Sequence, residues 1–154
     1  MPTLPWTAPK PLPRSLDSPA TVMASRLELR RLRDVPSFLA AALRIRRQML
    51  ASPGVLGVSL IARPLRRTFW TLSAWQDQAF LRAATSRQPH VEIMTHFRPL
   101  MAASSFVTWT AADLPIAWEE ARRRLENPDT VHGRTSGFPG EQALRDLSNL
   151  RRPI

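Results

Sequence analysis

The chain is 154 residues long, 44% hydrophobic and free of cysteine. That length favours one domain with a real core. The lack of cysteine excludes disulfides, thiolate metal sites, iron–sulfur clusters and cysteine nucleophiles, and it fits a reducing compartment. The formal net charge is +10, with Lys10 the only lysine among 22 basic residues.

Such a charge raises the question of nucleic acid or an anionic surface as partner. An arginine bias also follows from genomic base composition, and two arginine groups fall in expected turns or tails. Charge alone therefore gives a nucleic-acid partner little support. No apolar run is long enough to cross a membrane. Prolines from Pro2 onward break any signal-peptide layout, so the expected location is the cytoplasm.

In chain order, residues 1–20 come first. They contain six prolines (Pro2, Pro5, Pro9, Pro11, Pro13 and Pro19), which remove backbone donors and fix φ. This predicts an extended arm that Leu4 and Trp6 could pin to the body. Residues 22–32 alternate with period two and predict a first strand. Asp34 is placed to cap a helix, with Pro36 in its first turn. Phe38, Ala42, Ile45 and Met49 then form one helical stripe, and Ser52-Pro53-Gly54 ends it.

Residues 55–62 and 67–76 predict a hairpin of two strands around the turn at Arg63-Pro64-Leu65-Arg66. Asp77 can cap a short helix to about Ser86. Pro89 opens another helix to about Met101. Residues 104–110 predict a fourth strand, and residues 114–125 a short helix. From Glu126 the chain is polar and aperiodic, which predicts a flexible tail. The expected domain runs over residues 21–125, between an arm at 1–20 and a tail at 126–154.

The order β-α-β-β-α-β is the split βαβ of ferredoxin-like α+β folds. It predicts a four-stranded antiparallel sheet with helices on one face. The other face would be left bare, and a second copy of the chain would be the simplest cover, giving a homodimer.

On the third strand, Phe69, Thr71, Ser73 and Trp75 share one face, and Trp70, Leu72 and Ala74 the other. His90, Met94, Phe97 and Met101 recur at helical spacing, which aims His90 at the sheet. A histidine there can be a satisfied core residue, a general base or hydrogen-bond donor, or a haem ligand. There is no HExxH, GxGxxG, P-loop or GxSxG motif, so zincin, dinucleotide, nucleotide and hydrolase-elbow chemistry lack their usual signatures.

The run Phe69-Trp70-Thr71-Leu72-Ser73-Ala74-Trp75-Gln76-Asp77, followed by His90 and Met94, resembles antibiotic-biosynthesis-monooxygenase-like proteins of the dimeric α/β-barrel superfamily. Within it the chain is most similar to a branch near spheroidene monooxygenase-like proteins, over roughly residues 21–125. The resemblance implies a pocket between sheet and helices with His90 as the catalytic residue. Phe69, Thr71, Ser73, Trp75, Met94 and Phe97 would contact the substrate. It implies a small hydrophobic ligand of aromatic-polyketide type, a place in secondary metabolism, and either no cofactor or a haem on His90. Where the family often has a polar or acidic strand residue, this chain has Ser73, which cannot act as a carboxylate. The expectation is thus a monooxygenase-like pocket protein. A non-enzymatic binding or accessory protein of the same fold is the alternative, and a basic nucleic-acid-associated dimer a second one.

Overall fold

The computed structural model describes residues 3–9 and 18–127. Five strands form one sheet: β1 (Thr3–Thr7), β2 (Ala20–Leu29), β3 (Val55–Arg63), β4 (Thr68–Trp75) and β5 (Met101–Ala111), in the order β1-β3-β4-β2-β5. Every neighbouring pair is antiparallel. Helix α1 (Val35–Leu50) links β2 to β3, which are separated in the sheet by β4. Helices α2 (Gln78–Thr85) and α3 (His90–Phe97) link β4 to β5, with β2 between them. Each crossover skips one strand, and that is the ferredoxin-like plan.

Register follows from side-chain alternation. Ser25 pairs with Thr71 and with Phe106, and Met23 with Ser73 and Thr108. Leu27, Leu29, Phe69 and Ala62 on this face pack against Phe38 and Ala41 of α1 and Ile93 and Phe97 of α3. Met23, Val58 and Trp75 pack against Met49, Leu81 and Ala84. Three aromatics hold the centre. Phe38 lies 4.6 Å from Phe69 and 5.1 Å from Phe97, ring centroid to ring centroid.

Several expectations are corrected. The sheet has five strands because the proline-rich arm supplies β1. Pro5 is tolerated there since β1 is an edge strand, where a missing donor breaks no central ladder. Leu4 and Trp6 do pin the arm. The Leu4 carbonyl accepts from Ser59 Oγ at 2.8 Å, and the Trp6 indole lies over Gly57, in the space a Cβ there would need.

The helices are not confined to one face. Helix α4 (Trp118–Glu126) crosses the outer face, where Ala121, Ile116, Leu114 and Trp118 cover Val22, Ala24, Leu72, Ala74, Val107 and Trp109. Part of the face expected to await a second copy is therefore closed by the chain itself.

The helix expected to run to Met101 stops at Phe97. Pro99 lies in a 3-10 turn (Arg98–Leu100), and Met101 already begins β5, because proline cannot continue the α-helical ladder. Asp34 makes no side-chain cap to α1, whereas Asp77 accepts from the Phe80 amide at 3.0 Å as expected. The expected tail after Glu126 lies almost wholly outside the described residues. Among those residues no helix is long and apolar enough to cross a membrane.

Candidate functional site

Between the sheet and the inner helices lies a cavity of about 70 Å³, partly open to solvent. Its floor comes from β2, β3 and β4, including Met23, Ser25, Leu27, Val58, Leu60, Thr71 and Ser73. Its roof comes from Ala42, Ile45, Arg46 and Met49 of α1 and from His90 and Met94 of α3. Phe106 of β5 closes one side. The location is dictated by small residues. Ser25 and Thr71 are cross-strand partners, and the short side chains leave a hollow that the larger residues at either end do not fill.

The polar groups of the floor are largely satisfied. Ser25 and Thr71 hydrogen-bond to each other through their hydroxyls. Ser73 Oγ accepts from the indole Nε1 of Trp75 at 3.0 Å. On the roof, Arg46 Nη2 donates to Thr7 Oγ1 at 2.6 Å, tying α1 to β1.

His90 opens α3 and is buried, with 6% of its surface exposed. Burial pushes its pKa down from 6.5 to about 4, because the charged form loses hydration, while a hydrogen bond to the Thr85 backbone pulls partly the other way. The imidazole is therefore neutral at pH 7. A neutral ring can accept a proton, but a conjugate acid this strong makes it a weak base. His96 is exposed and stacks edge-on against Phe97 at 4.9 Å.

Of the site residues expected from sequence, Thr71, Ser73, His90 and Met94 border the cavity. Phe69 and Phe97 sit instead in the aromatic core with Phe38. Trp75 is wholly buried behind Ser73, which it holds in place. Ser25, Met23, Met49 and Arg46 border the cavity too, and sequence reasoning did not single them out. Arg46 had a visible signal: it lies four residues after Ala42 and three before Met49, on the flank of an otherwise apolar stripe. Ser25 had none without the pairing register.

The residues do not fit a haem. A cavity of about 70 Å³ beside His90 does not admit a tetrapyrrole. Among the described residues, no group of three or more histidine or acidic side chains is placed to hold a metal ion.

A second feature lies on the outer face, where α4 meets Trp70. The guanidinium groups of Arg26, Arg63 and Arg122 lie 5.9, 5.4 and 5.0 Å from the Trp70 ring centroid. Arg26 is also paired with Glu28 at 3.3 Å.

No family model matches the sequence, and no curated protein matches it. Solved structures do match. A protein of Fusobacterium nucleatum assigned as a monooxygenase superposes with a TM-score of 0.57 at 11% identity, over 64% of this chain and 46% of that one. The present chain thus spans under half the length of that protein. An assigned antibiotic biosynthesis monooxygenase of Nitrosomonas europaea gives 0.56 at 13% identity, over 64% of this chain and 94% of that one. The cofactor-independent oxygenase SnoaB of Streptomyces nogalater gives 0.51 at 17% identity, over 65% of this chain and all (100%) of that one. In fold, this chain is similar to the antibiotic-biosynthesis-monooxygenase-like proteins of the ferredoxin-like class.

Proposed function

We propose that the chain is a monooxygenase-like protein that takes a small hydrophobic molecule into the cavity beneath α1 and α3 and oxidises it without a bound cofactor. The carrying observation is the juxtaposition of a buried, uncharged His90 with an apolar hollow whose floor hydroxyls are already paired. His90 accepts a proton from an acidic carbon of the substrate, and the electron pair stays on the substrate. Molecular oxygen then supplies one atom to that carbon, a CH2 becomes C=O, and the second oxygen atom leaves as water. The substrate provides all the electrons, so no external reductant is needed.

The depressed pKa of His90 selects a substrate whose C–H bond is already acidic. The cavity volume of about 70 Å³ favours a small molecule over a multi-ring polyketide. The named activities of the fold neighbours agree in class but carry no substrate to this chain. A cytoplasmic location belongs to the same proposal, and so does a homodimer. Since α4 covers Leu72 and Ala74, a second copy meeting the sheet would contact Trp70 and its arginines.

The test is oxygen uptake by purified protein with a series of small 1,3-diketones, comparing the wild-type chain with His90→Ala. Uptake that falls at least about a hundredfold in the variant, with the fold retained, supports the reading. Uptake that is unchanged by the variant excludes His90 from the chemistry.

The weak basicity of His90 favours one second reading, a binding protein of the same fold. In that case the molecule binds in both oxidation states and no oxygen is consumed.

A further inference from the structure

Arg46 is the polar group of the cavity that the chemistry above leaves unused. It projects from α1 and borders the cavity. One of its terminal nitrogens donates to the neutral hydroxyl of Thr7. Its Nε is buried with no hydrogen-bond partner. Among the described residues it pairs with no carboxylate. Helix α1 and strands β1 and β3 contain no Asp or Glu, and none borders the cavity. The ion pairs Arg26–Glu28 and Arg124–Glu120 lie elsewhere.

A guanidinium is always charged and presents its N–H groups as a planar fork that matches the two oxygens of a carboxylate. Here the side chain is half-buried at the border of an apolar hollow, with Nη2 given to Thr7 and Nε buried without a partner. The other cavity polar groups are neutral, and three of them are committed: Ser25 to Thr71, and Ser73 to Trp75. The cavity therefore carries one uncompensated positive charge beside methionine and aliphatic walls.

We infer that the cavity takes a monoanion, with an apolar body lying among Met23, Met49 and Met94 and a carboxylate or enolate oxygen bonded to the guanidinium of Arg46. This rests on reading the cavity as a ligand site and adds the charge of what enters it. If the molecule is the carbon acid proposed above, Arg46 also holds the enolate that forms when the carbon gives its proton to His90. A weak base then suffices, because the product anion is stabilised.

Methionine gives a direct readout, since three of the five methionines, Met23, Met49 and Met94, border the cavity. The chain is labelled with 13C-methyl methionine and titrated at pH 7 with hexanoate and, separately, with 1-hexanol. Hexanoate is expected to shift these three methyl resonances and to bind roughly tenfold to a hundredfold tighter than hexanol. Arg46→Met is expected to remove that preference while hexanol binding persists. Arg46→Lys, which keeps the charge and loses the fork, is expected to keep part of it.

Equal binding of the two probes by the wild-type chain overturns the anion inference and leaves the ligand site standing. The anion inference fails equally if Arg46→Met folds and keeps the preference. If neither probe moves the three methyls, the ligand-site reading fails as well. Should Arg46→Met not fold, the wild-type preference and the Arg46→Lys titration decide the matter.

Discussion

The indole of Trp6 occupies the space that a Cβ on Gly57 would need. An edge strand is thereby locked onto β3 by a residue that has no side chain. Gly57→Ala is expected to push Trp6 out and destabilise the fold by roughly 1–3 kcal/mol, the usual range for overpacking. In a Trp6→Ala background the same change should cost little, because the obstacle is gone. Thermal melts of the four proteins check this, and an unchanged cost in the Trp6→Ala background would disprove the contact.

Burial of His90 makes stability depend on pH. Its folded pKa of about 4 lies below the unfolded value of 6.5, so the unfolded chain binds more protons between those values. The stabilisation is fully present above pH 6.5 and is lost as pH falls towards 4. The span corresponds to about 3 kcal/mol at roughly 1.4 kcal/mol per unit. Urea denaturation from pH 7 to pH 5 should show this decline in the wild-type chain. His90→Gln should flatten it in that window, and equal slopes for the two proteins would contradict the burial.

Ser73 accepts the hydrogen bond of the Trp75 indole, which is itself fully buried. Ser73→Ala strands that donor, and the expected loss is about 1–3 kcal/mol. Replacing Trp75 by Phe removes the donor along with the ring edge, so Ser73→Ala should then cost much less. Chemical denaturation of the pair and the double variant measures the coupling.

Ala121 is fully buried where α4 meets the outer sheet face. Ala121→Glu places an unpaired carboxylate in that contact, so α4 should detach at a cost of several kcal/mol. The bared Val22, Ala24, Leu72 and Trp109 should then drive self-association, seen as a higher mass by light scattering. An unchanged mass and melting temperature would mean that α4 does not cover this face.

The inner half of the fold was legible in the sequence because its signals are local. Period-two strands, the stripe of α1 and the Asp77 cap each need only neighbouring residues. The β-α-β-β-α-β order followed, and with it the face shared by Thr71 and Ser73 and aimed at by His90. The missed elements depend on distant partners. Pro5 argues against a strand until β3 offers an edge, and Trp6 finds its place only because Gly57 leaves room. Helix α4 was visible as a helix, but its docking on Val22 and Leu72 needs the sheet to be assembled first. Within the site, Phe69, Trp75 and Phe97 share a periodicity with the residues bordering the cavity. Their bulk carries them into the core, and the hollow forms beside the smaller Ser25 and Thr71.

The central claim is that an accessible apolar cavity lies against His90, and xenon tests it most directly because it enters such cavities without needing any particular ligand. Methyl spectra of the 13C-methionine-labelled chain are recorded with and without xenon pressure. Shifts at Met23, Met49 and Met94, with Met101 in the adjoining core unmoved, are the expected result. Three unmoved cavity methyls would mean that the hollow is filled or closed, and would contradict the claim.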